Sequence, residues 1–348
     1  MLKNYAEVVI LMTTGAMQGL LYCGNILIPS LFPFIVLSAF IVKSGLADFV
    51  GKFLSPVTKK LFHTDGSVGA VILLGFIGGF PVGAKGVASL YDEGKIDLET
   101  AKSLTMFLVG GGPGFVVFVV GNVLYQSTVA GLLLWLCQII TQLILGIFSC
   151  RKIKFNPHPH TKVKRLPISN AIVDSTESGI NSIMLMCGMV VLFSSVFAVF
   201  ENLQLTEIVS DLLIKASIPK SVSESLLNVL WEVTNGCNVC HDNVAPVWLM
   251  SFALGWGGLC VHFQIYALTT SINLPKIKFT LYRLAQGVIS SLLTAIIFTF
   301  YNPTQNVYYS SATHTTPSYS GNYIGSIALI AMCILFTMCL ETSDEVMR

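Results

Sequence analysis

Apolar runs at 28–43, 67–90, 104–124, 129–149, 183–200, 225–239, 245–269, 281–300 and 322–340 follow one another with only short polar segments between them. Most approach the roughly 20 residues that an α-helix needs to cross the hydrocarbon of a bilayer. Charged residues make up 11% of the 348 and mean hydropathy is +0.74, against about 25% charge in an ordinary soluble domain. No polar stretch exceeds about 25 residues, too short for a separate soluble domain. The fold class predicted is an all-α polytopic membrane protein. The nine cysteines set no redox compartment, because Cys137, Cys187, Cys260, Cys333 and Cys339 lie inside apolar runs, where thiols behave as small hydrophobes. Residues 1–25 lack a basic head, short apolar core and cleavage site, so they read as mature protein. Gly15, Gln18 and Asn25 make 5–25 a poor lipid-facing span, leaving an interfacial and a spanning placement both open.

Two runs carry breaks. Gly78-Gly79-Phe80-Pro81 interrupts the second, and Gly110 through Pro113 to Gly114 interrupts the third, where an uninterrupted spanning helix would keep its hydrogen-bond ladder. The same order of elements recurs about 145 to 157 residues later, pairing Phe40 with Phe197, Gly79 with Gly236, Gly110 with Gly255 and Phe148 with Phe298.

Charge orients the two copies, since Lys and Arg mark cytoplasmic loops. Loop 150–168 carries Arg151, Lys152, Lys154, Lys162, Lys164 and Arg165, and the preceding turn 125–128 is uncharged. In the second copy the signs swap: Lys276, Lys278 and Arg283 precede the closing helix, and 301–321 has no Lys, Arg, Asp or Glu. Segment 43–66 likewise holds four lysines against two aspartates, whereas 201–224 is richer in acids. Inverted repeats are the expectation, each of three transmembrane helices plus one re-entrant hairpin, 67–90 and 222–243. They occupy 1–150 and 169–300, joined by a basic cytoplasmic loop, 151–168. A polar outer loop, 301–321, and an extra C-terminal helix with its tail, 322–348, follow.

Glu232 is the strongest single signal, a carboxylate at the tip of the second hairpin. Insertion at a helix centre costs about 2.5–3.5 kcal/mol for Asp, so intramembrane acids usually face a cavity or a partner. Thr234, Asn235 and Asn238 could orient a solute by directional hydrogen bonds, or could cap a broken helix. Gly78, Gly79 and Pro81 expose half-helix ends of the kind that bind ions or anionic groups, as do Gly111, Gly112 and Pro113. Lys85, a turn beyond, has two readings: a partner for Glu232 or an anionic solute, and a lysine snorkelling to the cytoplasmic face. His262 and Gln264 follow Gly255-Trp256-Gly257-Gly258 and complete the candidate set. Cys237-Asn238-Val239-Cys240-His241 has haem-attachment spacing but no supporting context, and a zinc site lacks complementary ligands. With no phosphate loop, dinucleotide fingerprint or hydrolase elbow present, no enzyme, cofactor or metal is expected.

Three blocks carry a family resemblance. Gly75-Phe76-Ile77-Gly78-Gly79-Phe80-Pro81-Val82-Gly83-Ala84-Lys85, Glu232-Val233-Thr234-Asn235-Gly236-Cys237 and Gly257-Gly258-Leu259-Cys260-Val261-His262-Phe263-Gln264 resemble the YlbJ family of sporulation integral membrane proteins. Ile28-Pro29-Ser30-Leu31-Phe32-Pro33-Phe34 agrees, and the resemblance spans roughly residues 10–300. That family is grouped with the nucleoside-recognition, or gate, domain also found in concentrative nucleoside transporters. The resemblance implies paired opposing hairpins around a central solute site, and a role in the spore envelope at the mother-cell or forespore membrane. It also implies a preceding first spanning helix, and paired asparagines where this chain has Gly110-Gly111-Gly112-Pro113.

The function expected is a multi-pass cell-membrane transporter for a small polar solute, a nucleoside or an envelope precursor, driven by a coupling cation, Na+ or H+. The alternative is a non-transporting scaffold for spore-envelope assembly. Partners are the bilayer and the solute, with a homo-oligomer or envelope proteins as further alternatives and no nucleic acid.

Overall fold

The computed structural model describes residues 5–64, 66–92, 94–151, 153 and 167–300, and among these every regular element is helical. The expected outer loop 301–321, the extra helix 322–340 and most of the basic loop 151–168 lie outside the described residues.

Helix α1, Tyr5–Tyr22, passes through a π-helical turn, Cys23–Leu27, into α2, Ile28–Lys43. Of the two placements left open for the N-terminal segment, spanning fits its dimensions: Val8–Leu27 is long and apolar enough to cross a membrane. It lies along α8, Ile168–Asn202. A Cβ on Gly19 would sit 3.0 Å from the Val191 Cα, so the glycine permits close helix contact. Thr128–Cys150 (α7), α8 and Lys276–Phe300 (α14) are the other helices with that length and apolarity.

The segments 43–66 and 201–224, read above as loops, contain α3, Leu46–Phe62, and α9, Leu205–Lys215. Their polar residues alternate with apolar ones at helical spacing, which a count of charges does not register. In α3, Gly51, Thr58 and Phe62 are buried while Lys52, Phe53 and Lys60 are exposed, the pattern of a helix lying at an interface.

Next come two helices that fold back on one another, α4 (Gly66–Gly78) and α5 (Phe80–Asp92). A Cβ on Gly75 would sit 3.2 Å from the Gly83 Cα across the pair. The pair reverses at Gly79, whose φ of 85° lies in the left-handed region that glycine enters without penalty. Pro81 falls in the first turn of α5, where its missing N–H costs nothing. Helix α6, Leu98–Phe107, is capped by Asp97, whose side chain accepts from Thr100 N at 2.7 Å. It ends in the non-helical stretch 108–113, and the chain resumes as a π-helix, Gly114–Leu124, before α7.

The order then recurs. Long α8 is followed by amphipathic α9, a folded-back pair α10 (Lys220–Trp231) and α11 (Val233–Asp242), an interrupted helix α12 (Val247–Trp256) and α13 (Gly258–Leu268), and long α14. The second pair reverses at Glu232. Gly236, the residue matched to Gly79 from the sequence, lies one turn inside α11 with a Cβ position 2.7 Å from the Val229 Cα. The second interruption is at Gly257, with φ 80°, not at Gly255.

Arg283 also departs from expectation. It is not a turn residue but a fully buried side chain of α14 that donates from Nη1 to the Val109 carbonyl at the interruption after α6. Around it, Gln138 of α7 donates to the Ser251 carbonyl at 2.9 Å, and Gln286 donates to Gln138 Oε1 at 3.3 Å. A polar seam therefore joins α7, α12 and α14 inside the protein.

Candidate functional site

The four interruptions meet. Gly79 abuts Gly112, where a Cβ would lie 2.7 Å from the Ile77 carbonyl oxygen, and Gly258 abuts Glu232, where it would lie 2.8 Å from the Glu232 Cα. Phe80 bridges the halves, with Gly257 Cβ contact at 3.4 Å and Gly111 contact at 3.7 Å. Small residues are needed here because backbone meets backbone at each crossing.

Glu232 is 3% exposed and in extended conformation, φ −150° and ψ 129°. Its N–H donates to the Asn228 carbonyl at 3.0 Å, ending α10. Its carboxylate begins α11: Oε1 accepts from Thr234 N at 3.0 Å, and Oε2 accepts from Asn235 N at 2.8 Å and from the Thr234 hydroxyl. A carboxylate here meets the positive end of the α11 dipole, so the fold stabilises the charge it buries. Asn235 Nδ2 donates to Asn228 Oδ1 at 2.8 Å, tying the two arms of the pair together.

Two cavities share this residue. The larger, about 260 Å³, is lined by Glu232, Thr234, Asn235 and Asn238, and also by Gln18 and Tyr22 of α1, Phe193 and Glu201 of α8, and Trp231. The smaller, about 30 Å³, is lined by Gly78, Gly79, Pro81, Gly112, Glu232, Thr234 and Gln264, the room of about one water molecule. Gln264 Oε1 is buried there with no hydrogen-bond partner.

Lys85, His262, Gly111 and Pro113 line neither cavity. Both sequence readings of Lys85 give way to a third: Nζ donates to Ser178 Oγ at 2.8 Å, Ser182 Oγ at 2.9 Å and the Ser178 carbonyl at 3.2 Å, fastening α5 to α8. His262 holds the Gly258 carbonyl at 2.8 Å through Nδ1, among the rings of Trp256, Phe279 and Tyr266. The Cys237–His241 motif forms part of α11 with both thiols buried, whereas haem attachment needs an exposed loop. Among the described residues, no group of three or more His, Cys, Asp or Glu is placed to hold a metal ion.

The sequence reading missed Gln18, Tyr22, Phe193, Glu201 and Trp231. Gln18 and Tyr22, four residues apart, mark a polar stripe on one face of α1 and were legible as such. Phe193 was not, since an aromatic facing a cavity and one facing lipid read alike.

Four long apolar helices and a buried polar centre built from interrupted helices define a multi-pass integral membrane protein. Residues 26–119, from the π turn before α2 into the π-helix, match the family model described as Gate, nucleoside recognition. Over 357 aligned positions the chain is 25% identical to the sporulation integral membrane protein YlbJ of Bacillus subtilis strain 168, covering 92% of this chain and 88% of that one. The family resemblance carried by the glycine-rich blocks is thereby borne out. No solved structure matches.

Proposed function

We propose that the chain is a gate-type membrane transporter for a small polar solute that acts in endospore-envelope formation. In this reading the recurrent elements are two inverted repeats, each with three spanning helices and a re-entrant hairpin, α4–α5 or α10–α11. One observation carries it: Glu232 and Thr234 form the partition between the larger cavity and the smaller one, where all four interruptions meet. A solute admitted to the larger cavity contacts Glu232, Thr234, Asn235 and Asn238, and the half-helix ends at Gly78–Pro81 and Gly111–Pro113 serve a coupling cation, Na+ or H+. Rocking of one repeat against the other would move the partition and expose the solute to the opposite face.

The test is solute-induced thermal stabilisation of the detergent-purified full chain in sodium and in potassium, followed by uptake into liposomes. Nucleosides, amino acids and envelope precursors form the panel. A solute at a hundred times its dissociation constant adds about 2.7 kcal/mol. Stabilisation and uptake that vanish in Glu232→Gln support the reading, and uptake unchanged by that substitution sinks it.

The capping role of Glu232 favours a second reading, a scaffold whose buried carboxylate serves the fold alone. Sporulation would then be intact in Glu232→Gln, which keeps a capping oxygen, and impaired by neutralising the basic residues of 151–165.

A further inference from the structure

We propose that the larger cavity takes an organic ammonium ion, a small amine or quaternary ammonium, and refuses anionic and phosphorylated solutes. This rests on that cavity being the solute site. Its only charged lining residues are two carboxylates, Glu201 and Glu232, with no Lys, Arg or His among them. Glu201 is exposed at the end of α8 and forms a rim, while Glu232 is 3% exposed at the inner end. A rim acid followed by a buried acid between low-dielectric walls concentrates cations and repels phosphate. The approach carries the same sign, because Glu207 and Asp211 of α9 follow Glu201 closely.

The walls have the matching chemistry. Trp231 packs against Phe193 with ring centroids 5.1 Å apart and against Phe197 at 6.4 Å. Its indole N–H donates to the Phe193 carbonyl at 3.0 Å, fixing the ring plane. Tyr22 lines the same space. Aromatic faces with a carboxylate at hand are what binds an ammonium without needing donors from the protein, and desolvation strengthens the contact. Beyond Glu232, the smaller cavity adds the unpartnered acceptor Gln264 Oε1. At about 260 Å³ the larger cavity falls just below the usual 300–1,000 Å³ of drug-sized sites, which suits choline or a short diamine better than a nucleotide.

The experiment titrates the purified full chain with choline, putrescine, uridine and uridine monophosphate, reading thermal midpoint and tryptophan fluorescence. Wild type, Glu201→Gln, Trp231→Phe and Trp231→Leu are compared. Choline or putrescine is expected to raise the midpoint while the nucleotide leaves it unmoved. Glu201→Gln, a change at an exposed rim that spares the cap, should weaken ammonium binding roughly tenfold without altering the unliganded midpoint. Trp231→Leu should weaken it by a similar factor, and Trp231→Phe by less, since an aromatic face is kept.

Stabilisation by uridine but by neither amine overturns the ammonium assignment and leaves the solute-site reading standing. Equal binding of the nucleotide overturns it as well. Amine binding indifferent to both Glu201→Gln and Trp231→Leu places the amine elsewhere and overturns it. Protection by no probe, uridine included, counts against the solute site itself.

Discussion

Glu232 ends one helix and begins the next, and its energetics follow from those two duties. Removing a capping side chain costs about 0.5–2 kcal/mol, and here the lost acceptor strands the Thr234 and Asn235 N–H groups in a buried place. Glu232→Ala should therefore lower the unliganded thermal midpoint by about 2–4 °C, and Glu232→Gln by less, because the amide oxygen still accepts. An alanine variant as stable as wild type would show that the cap does not hold the reversal. The residue was legible in the sequence because a carboxylate inside an apolar run is costly and conspicuous. Its cap was half legible, as one of the two readings of the hydroxyl and amide groups that follow. Arg283 was not legible at all: a sequence count assigns it to the loop beside Lys276 and Lys278, and only tertiary contacts reveal that the Val109 carbonyl lies opposite it.

At the scale of elements, the crossing of the π-helix with α7 turns on two glycines. A Cβ on Gly131 would lie 2.8 Å from the Gly121 Cα and 2.8 Å from the Val117 Cα, so backbone would have to yield rather than a flexible side chain. Gly188, inside α8, has nothing within 4 Å of its Cβ position. Gly131→Ala should destabilise by about 1–3 kcal/mol through overpacking. Gly188→Ala should be neutral or add about 0.5–1 kcal/mol, since alanine loses less entropy in a helix. Thermal midpoints of the two variants check this, and a drop at Gly188 with none at Gly131 would contradict the packing described. Spans and interruptions were readable because their cause is local: 20-residue apolar stretches must be helical in lipid, and Gly-Gly-x-Pro stops a helix. The full extent of α8 was not. Its first half, Ile168–Ser182, is polar, and what makes it continuous with the apolar half is contact with distant elements, including the Lys85 bonds to Ser178 and Ser182.

For the whole molecule, the two copies of the element order are parallel or inverted, and charge supplies the argument. Helix α3 in the first copy presents Lys52 and Lys60 on its exposed side, with Lys59 between them also exposed. Its counterpart α9 sits in a stretch with Glu201, Glu207, Asp211 and Glu224 against Lys215 and Lys220. Moving Arg283 into the interior leaves Lys276 and Lys278 as exposed cations before α14, so the sign reversal between copies survives the correction. Cytoplasmic loops collect Lys and Arg, which puts α3 on the cytoplasmic face and α9 on the opposite one. Single cysteines at Lys60 and at Lys215 separate the cases, read with a membrane-impermeant maleimide on intact cells and after permeabilisation, against unsubstituted protein. Background from the native thiols is small among the described residues, where every free cysteine is buried. Lys215→Cys is expected to react in intact cells and Lys60→Cys only once the membrane is opened. Equal reaction at both sites in intact cells would make the copies parallel. It would also remove the opposed hairpins on which movement of the Glu232 partition depends.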